Sequence, residues 1–240
     1  MKLILVGCEY AGTSTLASKI YAWTHEIMLN GIPVIHSHWK FPETWGHPEG
    51  ATLLKGMTDE ERDQVMAMSP RLREMTTRQS LYYHIFPSED DGSALGQLHR
   101  EFLFIGLHIE DAIYAPLYFN YGIKNEFDVD RRVVMEQVEK DLLIFNPDTT
   151  LVLVKAQADV IARRMLDEPR KYGVIREKDI KLVLRRFEEE FESSKIPHKI
   201  ILDTSNVSAD ETFAEFVRQY EPFLSDSDKT RILEKENQGT

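Results

Sequence analysis

The sequence predicts an α/β fold, a three-layer, doubly wound parallel sheet, on three observations. The run "KLILVGC" is short, continuous and apolar, as a strand buried on both faces must be. The residues after it change to helical spacing. A second such run, "TTLVLVKA", is rich in β-branched residues, and helical patterns separate the strands along the chain. A chain of 240 residues with 42% hydrophobic content has the material for one sizeable core. The expected organisation is a single domain over residues 1–224 with a polar tail over 225–240.

Each element follows from local pattern. After the first strand, Leu16, Ile20, Trp23 and Ile27 recur along one helical face, and Asn30-Gly31 supplies a left-handed stop. "IPVIHSH" reads as a second strand, with Pro33 at its start, where a missing amide does least harm. Residues 42–100 are helical and polar, an insertion on the expected acceptor side. Within it Thr58 and Glu61 give a capping-box signal, and "SPRLREMTTRQSLYYHIF" sets a serine cap before a first-turn proline. Leu72, Met75, Tyr82, Tyr83 and Phe86 are expected to share one face of that helix.

The run "EFLFIGLHIED" either continues a helix begun near Leu95 or forms a third buried strand; Gly106 and the preceding "FLFI" favour the strand, with Glu110 and Asp111 at its end. "DVDRRVVMEQVEKDLLIF" is an amphipathic helix with Val134, Val138 and Leu142 in steps of four, broken by "NPD". "TTLVLVKA" is the fourth strand, and Asp159 leads the next helix. A basic loop and a charged helix follow, then "HKIILDTS" as a fifth strand. A closing helix has its cap at Ser208 and a glutamate three residues on.

Charge limits the partners. Lys+Arg 29 against Asp+Glu 40 gives a net charge of -11, which argues against nucleic acid, whose backbone is held by excess cationic side chains. No apolar run has the length of a membrane span. The single cysteine, Cys8, forms no internal disulfide, and no charged-then-apolar leader precedes the first strand, so the expected compartment is cytoplasmic.

The chemistry begins at "GCEYAGTS". Gly7, Gly12 and Ser14 take the two glycine positions and the hydroxyl position of G-x-x-x-x-G-K-[ST], and Thr13 stands in place of lysine. Most of such a cradle is backbone: successive amides and a helix amino terminus face the anion. Phosphate binding therefore survives the threonine, while the point charge must come from another segment. The bland alternative is an ordinary strand-to-helix turn.

With these residues quoted, the chain resembles the P-loop kinases of nucleosides, nucleotides and other small molecules, the group of thymidylate, adenylate, shikimate and adenylylsulfate kinases. The resemblance rests on "GCEYAGTSTLA", "PDTTLVLVKAQADVIARRM" and "KIILDTSNVSADETFAEFV" and covers the two ends of the chain. It implies a five-stranded sheet in the order 2-3-1-4-5, a lid over residues 165–178, ATP or another nucleoside triphosphate, and Mg²⁺. Gly7, Ala11, Gly12, Thr13, Ser14 and Thr15 would hold the phosphates, with the Ser14 hydroxyl on the metal. Glu110 or Asp111 would hold that metal through water or act as a base on the acceptor. Arg163 and Arg164 match the arginines that begin the lid, one flanking the base and one reaching the phosphates. Arg170, Lys171 and Arg176 form the lid's basic cluster and are candidates to replace the missing lysine, with Arg163 and Arg176 as the catalytic arginines. The resemblance leaves the acceptor and a homodimer open.

Other readings stand beside it. Acids after a strand are also helix caps. "VIHSHWKFPETWGHPEG" sets His36 and His38 on one side of a strand, as a substrate wall with His38 in acid/base or hydrogen-bonding contact, as a metal pair lacking a third ligand, or as aromatic packing. Arg73 and Arg78 would clamp an anionic acceptor, or serve only solubility. "GTSTL" also resembles a sulfotransferase loop, although "EYA" stands where a basic residue usually precedes it. A non-catalytic nucleotide-binding protein is the third class.

Overall fold

The computed structural model describes residues 1–27, 35–37, 58–85, 101–122, 131–171 and 173–238. Among them, β1 (Lys2–Val6) lies between β3 (Phe102–Ile105) and β4 (Thr150–Lys155), and β2 (Ile35–Ser37) and β5 (His198–Asp203) form the outer strands. The order is β2-β3-β1-β4-β5 and every pairing is parallel. Leu3, Ile4 and Leu5 are all fully buried, and since neighbouring side chains on a strand point to opposite faces, both faces of the sheet are covered.

The described helices are α1 (Thr13–Glu26), α2 (Asp59–Ala67), α3 (Pro70–Ile85), α4 (Leu107–Tyr114), α5 (Arg131–Phe145), α6 (Ala158–Asp167), α7 (Ile180–Ser193), α8 (Ala209–Tyr220) and α9 (Asp226–Gln238), and α1, α4, α7 and α8 lie against the strands. α1 packs against α8, where the Trp23 and Phe213 rings meet edge to face at 6.1 Å. α4 packs against α5 and α7, with Tyr114 and Phe187 edge to face at 5.8 Å. The capping boxes at Thr58/Glu61 and Ser208/Glu211 both form. The polar tail is helical: Ser225 and Asp228 cap α9 reciprocally, and Arg231 reaches Glu101 at 2.6 Å. No helix among the described residues is long and apolar enough to cross a membrane.

One expectation is corrected. Glu110 and Asp111 sit inside α4, because Gly106 (φ 84°) and Leu107 (φ 46°) turn the chain out of the sheet as soon as β3 ends. Leu72 and Met75 are 52% and 56% exposed; α3 instead buries Thr77 and Leu81, and the Thr77 hydroxyl meets Tyr121 Oη at 3.2 Å. The side chains of Tyr82 and Tyr83 are not described, and Asn30-Gly31, Pro33, Phe86 and Leu95 lie outside the described residues.

A buried ionic network joins α4, α5 and the end of α7. Glu139 lies 2.9 Å from His108 Nε2 and accepts from the Ser194 hydroxyl and the Lys195 amide, each at 2.6 Å. Burial opposes ionisation of Glu139, but these hydrogen bonds and the His108 charge outweigh it and hold the carboxyl below the usual range. A depressed folded-state pKa stabilises the fold above the unfolded value of about 4.3, and the contribution is lost as pH falls through the lower folded value. Glu139→Gln is therefore expected to lower stability at pH 7 by about 2 kcal/mol and to flatten the loss of stability between about pH 5 and 3, read from urea midpoints.

Candidate active site

The loop over residues 7–14 leaves β1 at its carboxyl end and runs into α1. Gly7 is required by space: a Cβ there would lie 2.3 Å from the Val154 carbonyl oxygen on β4 and 3.0 Å from Thr13 Cγ2. Gly12 is required by conformation, since its φ is 99° and a Cβ would meet nothing nearer than Thr204 Cγ2 at 3.9 Å. Tyr10 is also left-handed (φ 67°), and the Ala11 amide closes the turn on the Cys8 carbonyl at 2.9 Å. No side chain caps the amino terminus of α1, so its first amides are presented to the space in front of the loop.

Arg164 of α6 fixes the loop from behind. Its guanidinium donates to the carbonyl of Tyr10 (2.9 Å) and to both the hydroxyl and the carbonyl of Thr204 (3.1 and 2.7 Å), and the Thr204 hydroxyl donates to the Ala11 carbonyl at 2.8 Å. Two cavities flank the loop. An outer cleft of about 310 Å³ is bounded by Ala11, Arg164, Asp167, Glu168, Thr204 and Val207, among others. An inner pocket of about 40 Å³ is lined by Thr13, Ser14, Glu9, Glu110, Tyr114 and Val174, among others. Tyr10, Gly12, Thr15 and Arg170 line both.

No protein-family model matches the chain, and no curated protein matches it. Solved structures do. Thymidylate kinase from Candida albicans superposes with a TM-score of 0.54 at 13% identity, over 92% of this chain and 91% of that one. Deoxyadenosine kinase from M. mycoides with bound dATP gives 0.51 at 11% identity, over 92% and 100%. The YorR protein from Bacillus subtilis, in complex with phosphorylated GDP, gives 0.50 at 15% identity, over 93% and 99%. The chain has a P-loop-kinase-like fold.

In this kinase-like frame the expected site residues separate. Gly7, Gly12, Thr13, Ser14, Thr15 and Glu110 gather at the inner pocket, and Ala11 and Arg164 at the outer cleft. Asp111 does not join them. It is fully buried and accepts from Tyr121 Oη at 2.9 Å, on the side of α3. Arg163 is exposed and borders neither cavity. Arg176 lies over the Tyr118 ring at 5.5 Å and also borders neither. The Tyr118 phenol, pushed up to about 12 chiefly by burial and further by Asp179, donates to that carboxylate at 3.1 Å. Lys171 is paired with Asp59 on α2.

Arg73 donates to the carbonyls of Met66 and Phe119 and stacks on the Phe119 ring at 5.6 Å, so it braces the α2–α3 turn. His38 lies outside the described residues, and the side chains of His36 and Arg78 are not described. Among the described residues no group of three His, Cys, Asp or Glu side chains is arranged for a metal ion. Burial, then the charges of Glu9 and Glu110, push the Cys8 thiol well above the usual value, which disfavours its thiolate.

Sequence reasoning missed Glu9, Tyr10, Tyr114 and Thr204. Glu9 and Tyr10 occupy variable positions of the loop motif, where the pattern carries no information. Tyr114 reaches the loop only through the fold, its hydroxyl accepting the Glu9 amide at 3.3 Å. Two substitutions separate the glycines' roles. Gly12→Ala should cost about 1 to 2 kcal/mol for a left-handed alanine. Gly7→Ala should cost more, about 3 kcal/mol, since β4 backbone must move. Thermal unfolding of the two variants checks the order.

Proposed function

We propose that the chain is a nucleoside-triphosphate- and magnesium-dependent phosphotransferase acting on a small molecule or nucleotide. The observation that carries this reading is the uncapped start of α1 opening on a pocket where a hydroxyl, a carboxylate and an arginine converge, beside a cleft of about 310 Å³. A nucleobase and ribose suit that cleft in size. In this reading Arg164 forms its wall, and Asp167 and Glu168 offer acceptors to base or sugar donors.

Amides of the loop and of the first turn of α1 would hold the phosphates, with Thr13 and Thr15 adding hydroxyl contacts. Arg170 is the lid cation that borders the inner pocket, and it takes the role of the missing lysine, ahead of Arg163 and Arg176. The donor set suits magnesium: the inner pocket presents hydroxyl and carboxylate oxygens and neither thiolate nor imidazole. Ser14 and Glu110 would hold the ion, which when bound neutralises charge on the terminal phosphate oxygens. Residues 42–100 would form the acceptor side and residues 165–178 the lid, so that catalysis is mainly alignment and electrostatic stabilisation.

One observation favours a second reading, a nucleotide-binding protein without turnover. Two carboxylates, Glu9 and Glu110, line the inner pocket against a single arginine, and that arginine already lies 3.9 Å from Glu9. Turnover decides between them. With ATP, Mg²⁺ and a panel of nucleoside and nucleotide acceptors, the kinase reading expects metal-dependent release of the diphosphate; nucleotide binding with no product supports the second. Under the first, Arg170→Ala should lower kcat by about 10²-fold, with Arg163→Ala and Arg176→Ala within about threefold of the parent. Equal losses across the three would remove Arg170 from its role.

A further inference from the structure

The donors that the lid turns toward the phosphate loop are occupied by an anion of the chain's own. Glu9 Oε2 accepts from the backbone amides of Val174 (2.7 Å) and Ile175 (2.8 Å), and Oε1 lies 3.9 Å from Arg170 Nη1. The Arg170 guanidinium in turn lies 4.6 Å from the centroid of the Tyr10 ring, and the Arg170 amide donates to Tyr10 Oη at 3.3 Å. Adjacent residues of the loop therefore hold the lid at three points, and the Glu9 side chain is only 12% exposed.

Two consecutive amides and a guanidinium are a donor set suited to tetrahedral oxyanions, which offer more oxygens and more charge than a carboxylate. Glu9, Arg170 and Val174 border the inner pocket with Thr13 and Ser14. At about 40 Å³ that pocket holds roughly three waters. A diphosphate and its counter-ion need more room, and the tie between Glu9 and the lid is the wall that can yield.

We propose that the Val174 and Ile175 amides and the Arg170 guanidinium form a phosphoryl-binding subsite on the lid, for which Glu9 is an internal stand-in displaced by the terminal phosphate of a triphosphate. The proposal rests on the nucleotide-binding reading above. Glu9 then sets the affinity threshold: the incoming anion must compete with a carboxylate already in place, and the lid is held near the loop before any ligand arrives.

The test titrates the parent protein, Glu9→Gln and Glu9→Ala with the imido analogue of ATP in Mg²⁺, with adenosine as the control for the outer cleft. Amide hydrogen exchange at Val174 and Ile175 is followed in parallel. Both variants should bind the analogue about tenfold more tightly while adenosine affinity stays level. In Glu9→Ala the two amides should exchange at least about tenfold faster without ligand and regain protection with it. Unchanged or weaker analogue binding by the variants, with the parent binding normally, overturns the subsite and leaves the nucleotide reading standing. If none of the three proteins binds the analogue, the nucleotide reading fails. Inorganic tripolyphosphate then decides the subsite alone: tighter binding by the variants supports it, and equal binding overturns it.

Discussion

The site is organised by the guanidinium of Arg164. A left-handed residue at position 10 turns the Tyr10 carbonyl away from the loop's own amides, and a carbonyl placed there needs a donor from elsewhere. Arg164 provides it and donates twice more to Thr204, just past β5, so that one side chain from α6 joins the exits of two strands. Burial and the neighbouring Arg163 lower its pKa from the usual arginine value, a cost accepted for three hydrogen bonds to neutral oxygens. The path of the phosphate loop, the wall of the outer cleft and the position of the first turn of α1 all follow from that contact.

Charge balance is the second constraint. A loop with lysine brings its own cation, whereas here threonine holds that position and glutamate stands four residues earlier. At the inner pocket the positive charge is carried by Arg170, in the segment proposed as the lid. In the proposed kinase reading catalysis and lid position would be coupled, because the group that would stabilise a transferring phosphoryl also belongs to the segment proposed to close over it. Within residues 165–178, Lys171 engages Asp59 on α2, and Arg176 covers Tyr118.

How much of this was legible in the sequence depends on the range of the contact concerned. The parallel α/β layering could be read because the centres "LILV" and "LVLV" are apolar throughout, and the capping boxes because both partners lie within four residues. Glu110 was named from its place after an apolar run and does border the inner pocket, although the strand-to-helix turn at Gly106 and Leu107 was not foreseen. Asp111, its neighbour, was an equal candidate by sequence; one residue along a helix is a rotation of about 100°, and that sends it to Tyr121 on the other side. The choice among the lid's basic residues was equally hidden. Arg163, Arg170 and Arg176 are chemically identical, and only Arg170 is brought alongside Tyr10.

Cys8 has a practical bearing of its own. As the sole thiol, nearly inaccessible and held protonated, it is poorly suited to react with maleimides or iodoacetamides. A spin or fluorescent label can therefore be attached to a cysteine introduced on the outer surface of α6 or α7 without first removing the native one. Distances across the molecule become measurable in an otherwise unaltered polypeptide.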